Sequence, residues 1–149
     1  MQCRKYLLSL LSIVMVPALA RAADFHFTGA VSTDWSDPAN WAEDAVPGPV
    51  DRVLIPMEKT ATLPSNITIG NVSIDSYGTL DINGHTLTVT NLLQNNGGNI
   101  QGGGTILFSS PSIGLENYGR IYSNTPSFTL QTTSTGSLDV AGKNGTNIG

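Results

Sequence analysis

A glycine followed two residues later by an aliphatic side chain returns about every 20 residues through the second half of the chain. Gly78-Thr-Leu80-Asp-Ile82 is echoed by Gly98-Asn-Ile100, Gly119-Arg-Ile121 and Gly136-Ser-Leu138-Asp-Val140. A second apolar pair follows within each unit, beginning at Leu87, Ile106 and Phe128, and Asn96, Asn117 and Thr135 stand just before the turn glycines. Within each pair the period is two, as in Ile67/Ile69, Val72/Ile74 and Leu87/Val89. No stretch keeps helical spacing over three turns, so the chain reads as all-β. Short strands repeated at this interval are the signature of a β-solenoid. A Greek-key sandwich shares the short strands and Gly/Asn turns but gives no reason for recurring units. The expected fold is a right-handed parallel β-helix of about 3–4 coils with an aromatic N-terminal cap.

Energetics require the coils to be mutually dependent. Ordering about 20 residues costs roughly 20–40 kcal/mol of backbone entropy. A coil turns only a handful of apolar side chains inward, each worth roughly 1.5–3 kcal/mol. A lone coil therefore cannot fold, whereas stacking at about 4.8 Å buries the interior and pairs the backbone groups. The first coil then needs a cover for its exposed strand edges. Residues 24–64 are suited to that task. Phe25 and Phe27 alternate in a short strand, and Ser36-Asp-Pro-Ala-Asn-Trp41 reads as a one-turn helix with Asp37 at the N-cap and Pro38 at its first position. Trp35 and Trp41 flank this turn, and Pro47-Gly48-Pro49 leads into a buried strand, Val53-Leu54-Ile55. The coils are expected over 65–149, with the last one incomplete.

The N-terminus is that expected of an exported protein. Arg4-Lys5 precedes an apolar run from Tyr6 to Val16, then Pro17 and the small-residue sites Ala18-Leu19-Ala20 or Ala20-Arg21-Ala22. This is the pattern of a signal peptide over 1–22, too short for the roughly 20 apolar residues of a membrane span. The single cysteine, Cys3, leaves with it, so no disulfide framework exists. Beyond Ala22 there are four basic residues against eleven acidic ones. That balance disfavours nucleic acid and anionic membranes as partners. A secreted or cell-surface protein with no membrane span in the mature chain is expected.

Signals for catalysis are absent from the sequence. His26 and His85 lack metal-ligand spacing, there is no G-x-S-x-G elbow, and no cysteine remains after export. In the coil alignment Asp81, Gln101, Tyr122 and Asp139 share one outward column beside Thr79, Asn99, Arg120 and Ser137. Asp81 and Asp139 would then lie about 14 Å apart at ~4.8 Å per rung. Paired glycosidase carboxylates need roughly 5–9.5 Å. No catalytic residue and no cofactor is assigned. Asp34, Asp37 and Asp51, with Asn40, Glu43 and Asp44, supply oxygen ligands for calcium but lack the order of a calcium loop. Arg120 and Tyr122 are candidates for contacting a sugar acid, and Tyr77, Tyr118 and Tyr122 for stacking on sugar rings.

Trp35-Ser-Asp-Pro-Ala-Asn-Trp41, followed by Val46-Pro-Gly-Pro-Val-Asp51-Arg-Val-Leu-Ile-Pro56, resembles the opening of many secreted bacterial surface proteins. Autotransporter-type passengers and large exported adhesins are similar, and the G8-type domain has a related start. The resemblance implies a parallel β-helix entered after the tryptophan segment, on a scaffold that hosts adhesion, sugar binding or lyase chemistry. Where such proteins often carry two acids before the strand, only Asp51 matches here, followed by Arg52. The expected function is a structural or adhesin-like module without catalysis of its own. Its partners would be an extracellular glycan or a cell-surface protein, with end-to-end self-stacking as a further contact. The alternatives are a carbohydrate-binding module and the N-terminal part of a larger polysaccharide-processing enzyme.

Overall fold

A computed structural model describes residues 21–109, 114–123, 127–133 and 139–141. The expected signal segment up to Ala20 and the chain after Ala141 lie outside the described residues, as do Gly136, Ser137 and Leu138. Twelve strands follow in order: β1 (Asp24–His26), β2 (Arg52–Ile55), β3 (Thr60–Thr62), β4 (Ile67–Ile74), β5 (Thr79–Asp81), β6 (Thr86–Asn95), β7 (Asn99–Gln101), β8 (Gly104–Phe108), β9 (Gly114–Asn117), β10 (Arg120–Ile121), β11 (Phe128–Thr132) and β12 (Asp139–Ala141). One short 3₁₀ turn, Pro38–Asn40, lies between β1 and β2.

Every strand pairs in parallel with the strand one coil away. A four-stranded sheet runs β3-β5-β7-β10, and an eight-stranded sheet runs β1-β2-β4-β6-β8-β11, with β9 added on β6 and β12 on β9. β4 and β6 are long because each serves two arms of its coil. The second arm of β4 pairs with β2 on one side, and both arms pair with β6 on the other. The two arms of β6 then diverge onto β8 and β9. The register shifts between Ile69 and Asn71, where a Cβ on Gly70 would meet the carbonyl oxygens of Val50 and Asp51 at 2.5 and 2.6 Å. Only glycine lets the chain turn that corner. The result is a β-solenoid of about four turns.

Register brings like side chains above one another inside. Ala61, Leu80, Ile100 and Ile121 form one stack, and Val53, Val72, Leu93 and Leu115 another. A third runs Ile67, Leu87, Ile106 and Leu130. Most of these residues belong to the buried core, which also takes in Phe25, Phe27, Trp35 and Trp41 from the N-terminal end, while Ile67 and Leu130 are partly buried against it. One inward column changes character along its length, from Ile55 and Ile74 to Asn95 and Asn117. The Asn95 side chain accepts from Gly98 N–H at 2.8 Å and donates to Asn117 Oδ1 at 2.8 Å. Two buried amides thereby satisfy each other and a tight turn at once.

The recurring glycines are explained by the rung before them. A Cβ on Gly98 would lie 2.5 Å from the Ile74 methyl and 2.6 Å from the Gly78 carbonyl, and one on Gly119 would run into the Gly98 carbonyl and the Asn95 amide. In the first coil the same place, one residue before Thr60, is held by Lys59. The preceding chain pairs with β3 only at Thr62, through Asp34, and leaves a hollow beside Lys59, so a side chain is tolerated there.

Two expectations change. The ladders already include Arg52–Ile55 and Thr60–Thr62, so stacking begins inside the segment read as cap. Asp139 does not continue the Asp81–Gln101–Tyr122 column: β12 pairs with β9, setting Asp139 opposite Gly114 on the other sheet. The spacing that opened that unit, shorter than in the earlier ones, reflects a different strand of the coil. Replacing Gly98 by Ala is expected to destabilise the protein by about 1–3 kcal/mol through overpacking, whereas Lys59→Ala stays within about 0.5 kcal/mol. Urea unfolding of both variants checks the contrast.

Candidate functional site

The outward side of the four-stranded sheet gathers the polar residues that the sequence singled out. Strand alternation points Thr79 and Asp81, Asn99 and Gln101, then Arg120 and Tyr122 away from the core on successive rungs. Their side chains are linked along the solenoid axis. Tyr122 donates its hydroxyl hydrogen to Gln101 Oε1 at 2.7 Å, and Gln101 Nε2 donates to Asp81 Oδ2 at 3.1 Å. Asp81 Oδ1 accepts from Asn83 N–H at 2.9 Å, which fixes the far end of the chain of bonds. Arg120 is exposed, with its guanidinium carbon 5.4 Å from the centroid of the Tyr122 ring. That stacking is a cation–π contact that orients both groups.

Tyr77 and Tyr118 occupy turns at the corner leading into this face. Both are exposed, at 73% and 49%. Tyr77 adopts a left-handed φ of 63°, which is uncommon for a bulky residue, while its N–H donates to the carbonyl of Gly97 on the next coil. The structure thus brings Arg120 and Tyr122 into contact, with Tyr118 two residues before Arg120 on the adjoining turn. The Gln101 and Asp81 bonds between rungs went unrecognised in the sequence, although their column was identified. This is a strip on a surface. Two hollows among the described residues, of about 110 Å³ beside Asp24, Phe25, His26, Arg52 and Leu54 and about 330 Å³ beside Gly29, Val31, Ser32, Thr33, Glu58, Lys59 and Thr60, lie at the N-terminal end.

The residues proposed for calcium have other tasks. Asp37 accepts from Ala39 N–H and caps the 3₁₀ turn, and Asp34 accepts from both N–H and Oγ of Ser36. Asp51 receives Ala23 N–H on one oxygen and Gly48 N–H on the other. Asn40 is fully buried: its Oδ1 accepts from Val31 and Ser32 N–H, and its Nδ2 donates to Ser32 Oγ and the Asp34 carbonyl. Among the described residues no group of three or more His, Cys, Asp or Glu is placed to hold a metal ion. Trp35 and Trp41 pack edge to face, 5.0 Å between centroids, and Trp41 Nε1 donates to the Trp35 carbonyl at 2.8 Å. Phe25 and Phe27 meet the same Trp41 ring at 6.1 and 5.1 Å.

His26 and Glu43 form a clamp on the first strand that the sequence did not reveal. Glu43 accepts from His26 N–H and meets His26 Nδ1, both at 2.9 Å, while Ala42 N–H donates to the His26 carbonyl at 3.0 Å. The outer side of β1 is thus occupied at this residue. Partial burial works to raise the Glu43 carboxyl, but the bonds from the His26 ring and backbone outweigh it and hold the group below its ordinary value of 4.5.

Fold and site together define a parallel β-solenoid with a side-chain-capped first coil and a polar-aromatic strip on one sheet. A family described as a domain of unknown function (DUF8693) matches residues 26–113, more than half of the chain, and the protein belongs to that family. No curated protein and no solved structure matches the chain.

The Glu43 shift has a definite sign. Because the folded carboxyl ionises below 4.5, its stabilisation is complete above that pH and is lost as pH falls through the lowered folded value. The protection of the His26 amide against hydrogen exchange, taken relative to the intrinsic rate at each pH, is expected to fall on acidification below 4.5 in the native protein. In Glu43→Gln that acid-dependent step should disappear.

Proposed function

We propose that the chain is an exported, adhesin-like β-solenoid without catalytic activity of its own, and that it binds an extracellular glycan along the outward strip from Asp81 to Tyr122. The observation that carries this reading is the bonded series Asp81–Gln101–Tyr122 with Arg120 stacked on the tyrosine. Carboxylate, amide, phenol and guanidinium edges on successive rungs offer donors and acceptors at a repeat near 4.8 Å. The neighbouring exposed rings of Tyr77 and Tyr118 supply apolar faces of the kind sugars stack on. An open strip suits a polymer better than a small molecule, which is usually enclosed in a pocket.

Support for export comes from the basic and apolar N-terminal run with its small-residue sites, and from the similarity of Trp35–Trp41 and Val46–Pro56 to the openings of autotransporter-type, adhesin and G8-type proteins. Among the described residues no helix is long and apolar enough to cross a membrane. The excess of acidic side chains disfavours nucleic acid as the partner. Glycan-array binding by the mature protein, followed by titration calorimetry of a hit, tests the reading. Tyr122→Ala should weaken binding by roughly tenfold or more, since it removes the ring beneath Arg120 and the bond to Gln101. Absence of binding across the array, or unchanged affinity in Tyr122→Ala, would reject it.

A further inference from the structure

The two ends of the strip differ in charge, and the difference specifies a ligand. At one end Arg120 stands exposed against the Tyr122 ring. Among the described residues no carboxylate lies within ion-pair distance of it, the sole ion pair being His26 with Glu43. The stacked ring restrains the guanidinium plane, and a guanidinium presents its N–H groups in a fork that matches a carboxylate. At the other end, two rungs away, stands the Asp81 carboxylate, whose oxygens already accept from Gln101 and Asn83. A second anionic group there would meet like charge. Sugar hydroxyls, which can donate, fit it.

Resting on the glycan reading above, we infer that the Arg120 end is a subsite for one carboxylate-bearing sugar unit, and that the Gln101–Asp81 end takes neutral units of the same glycan. The net charge of the chain points the same way. With eleven acidic residues against four basic ones beyond Ala22, a uniformly anionic polymer is repelled, whereas a glycan with isolated acidic units is not. The tyrosines serve both classes of unit, so the discrimination rests on Arg120.

Titration calorimetry of the protein at low salt, with an oligosaccharide carrying a single terminal uronic acid and with its carboxyl-reduced counterpart, tests this. The acidic ligand should bind roughly tenfold or more tightly than the reduced one, and the advantage should shrink with added salt. Arg120→Gln should remove that advantage, bringing the affinities for the acidic and the reduced ligand to within about twofold of each other. Arg120→Lys, which keeps the charge and loses the fork, should retain only part of it. Equal binding of the two ligands by the native protein overturns the subsite while leaving glycan binding in place. An undiminished preference in Arg120→Gln does the same. Failure of both ligands to bind overturns the subsite, and the glycan reading falls with it where the array also shows no binding.

Discussion

Each coil must present its backbone and its inward side chains to a coil of nearly the same shape, and this demand for stackability governs the rest of the molecule. The interior holds because Leu80 lies over Ile100 and Ile100 over Ile121, with the parallel ladders fixing their register. The same closeness leaves no room for a Cβ at Gly98 or Gly119 and drives Asn95 and Asn117 into mutual hydrogen bonding. It also sets out polar side chains at rung spacing on the outside, where Tyr122, Gln101 and Asp81 find one another. Core, turns and candidate site are consequences of one geometric condition.

That condition explains which parts were legible in the sequence. Period-two pairs and the returning glycine gave the class of fold and the alignment of Thr79, Asn99 and Arg120, because register within a stack is dictated locally by those residues. Asp139 was misplaced because a glycine and an alternating pair occur in more than one strand of a coil. The spacing of 17 against 20 and 21 was the available warning. Asn117 was identified with Asn96 as its counterpart, yet Asn95 is its partner. One extra residue in a turn leaves the local pattern unchanged and shifts the inward position.

The cap was legible in outline and opaque in detail. Paired tryptophans around a short turn announce a buried aromatic cluster, and Asp37 before Pro38 announces the cap of that turn. Asn40 offered no such signal: its four hydrogen bonds knit residues 31–34 to the turn through contacts that only the folded loop creates. Glu43 on His26 is of the same kind. The family match takes in this cap and Asp81 and Gln101, and ends at residue 113, short of Tyr118, Arg120 and Tyr122. Membership therefore speaks for the scaffold, and the chemistry of the strip must be judged on its own residues.

The Glu43 and Ala42 contacts on His26 also give the column a polarity. A naked parallel strand is a template that recruits further strands, within a cell or between molecules. Here the outward N–H and carbonyl of His26, the last residue of the first strand, are already engaged by its own loop. Lengthening of such a molecule, whether by duplication of coils in evolution or by accretion into fibrils, is thereby steered away from the tryptophan end.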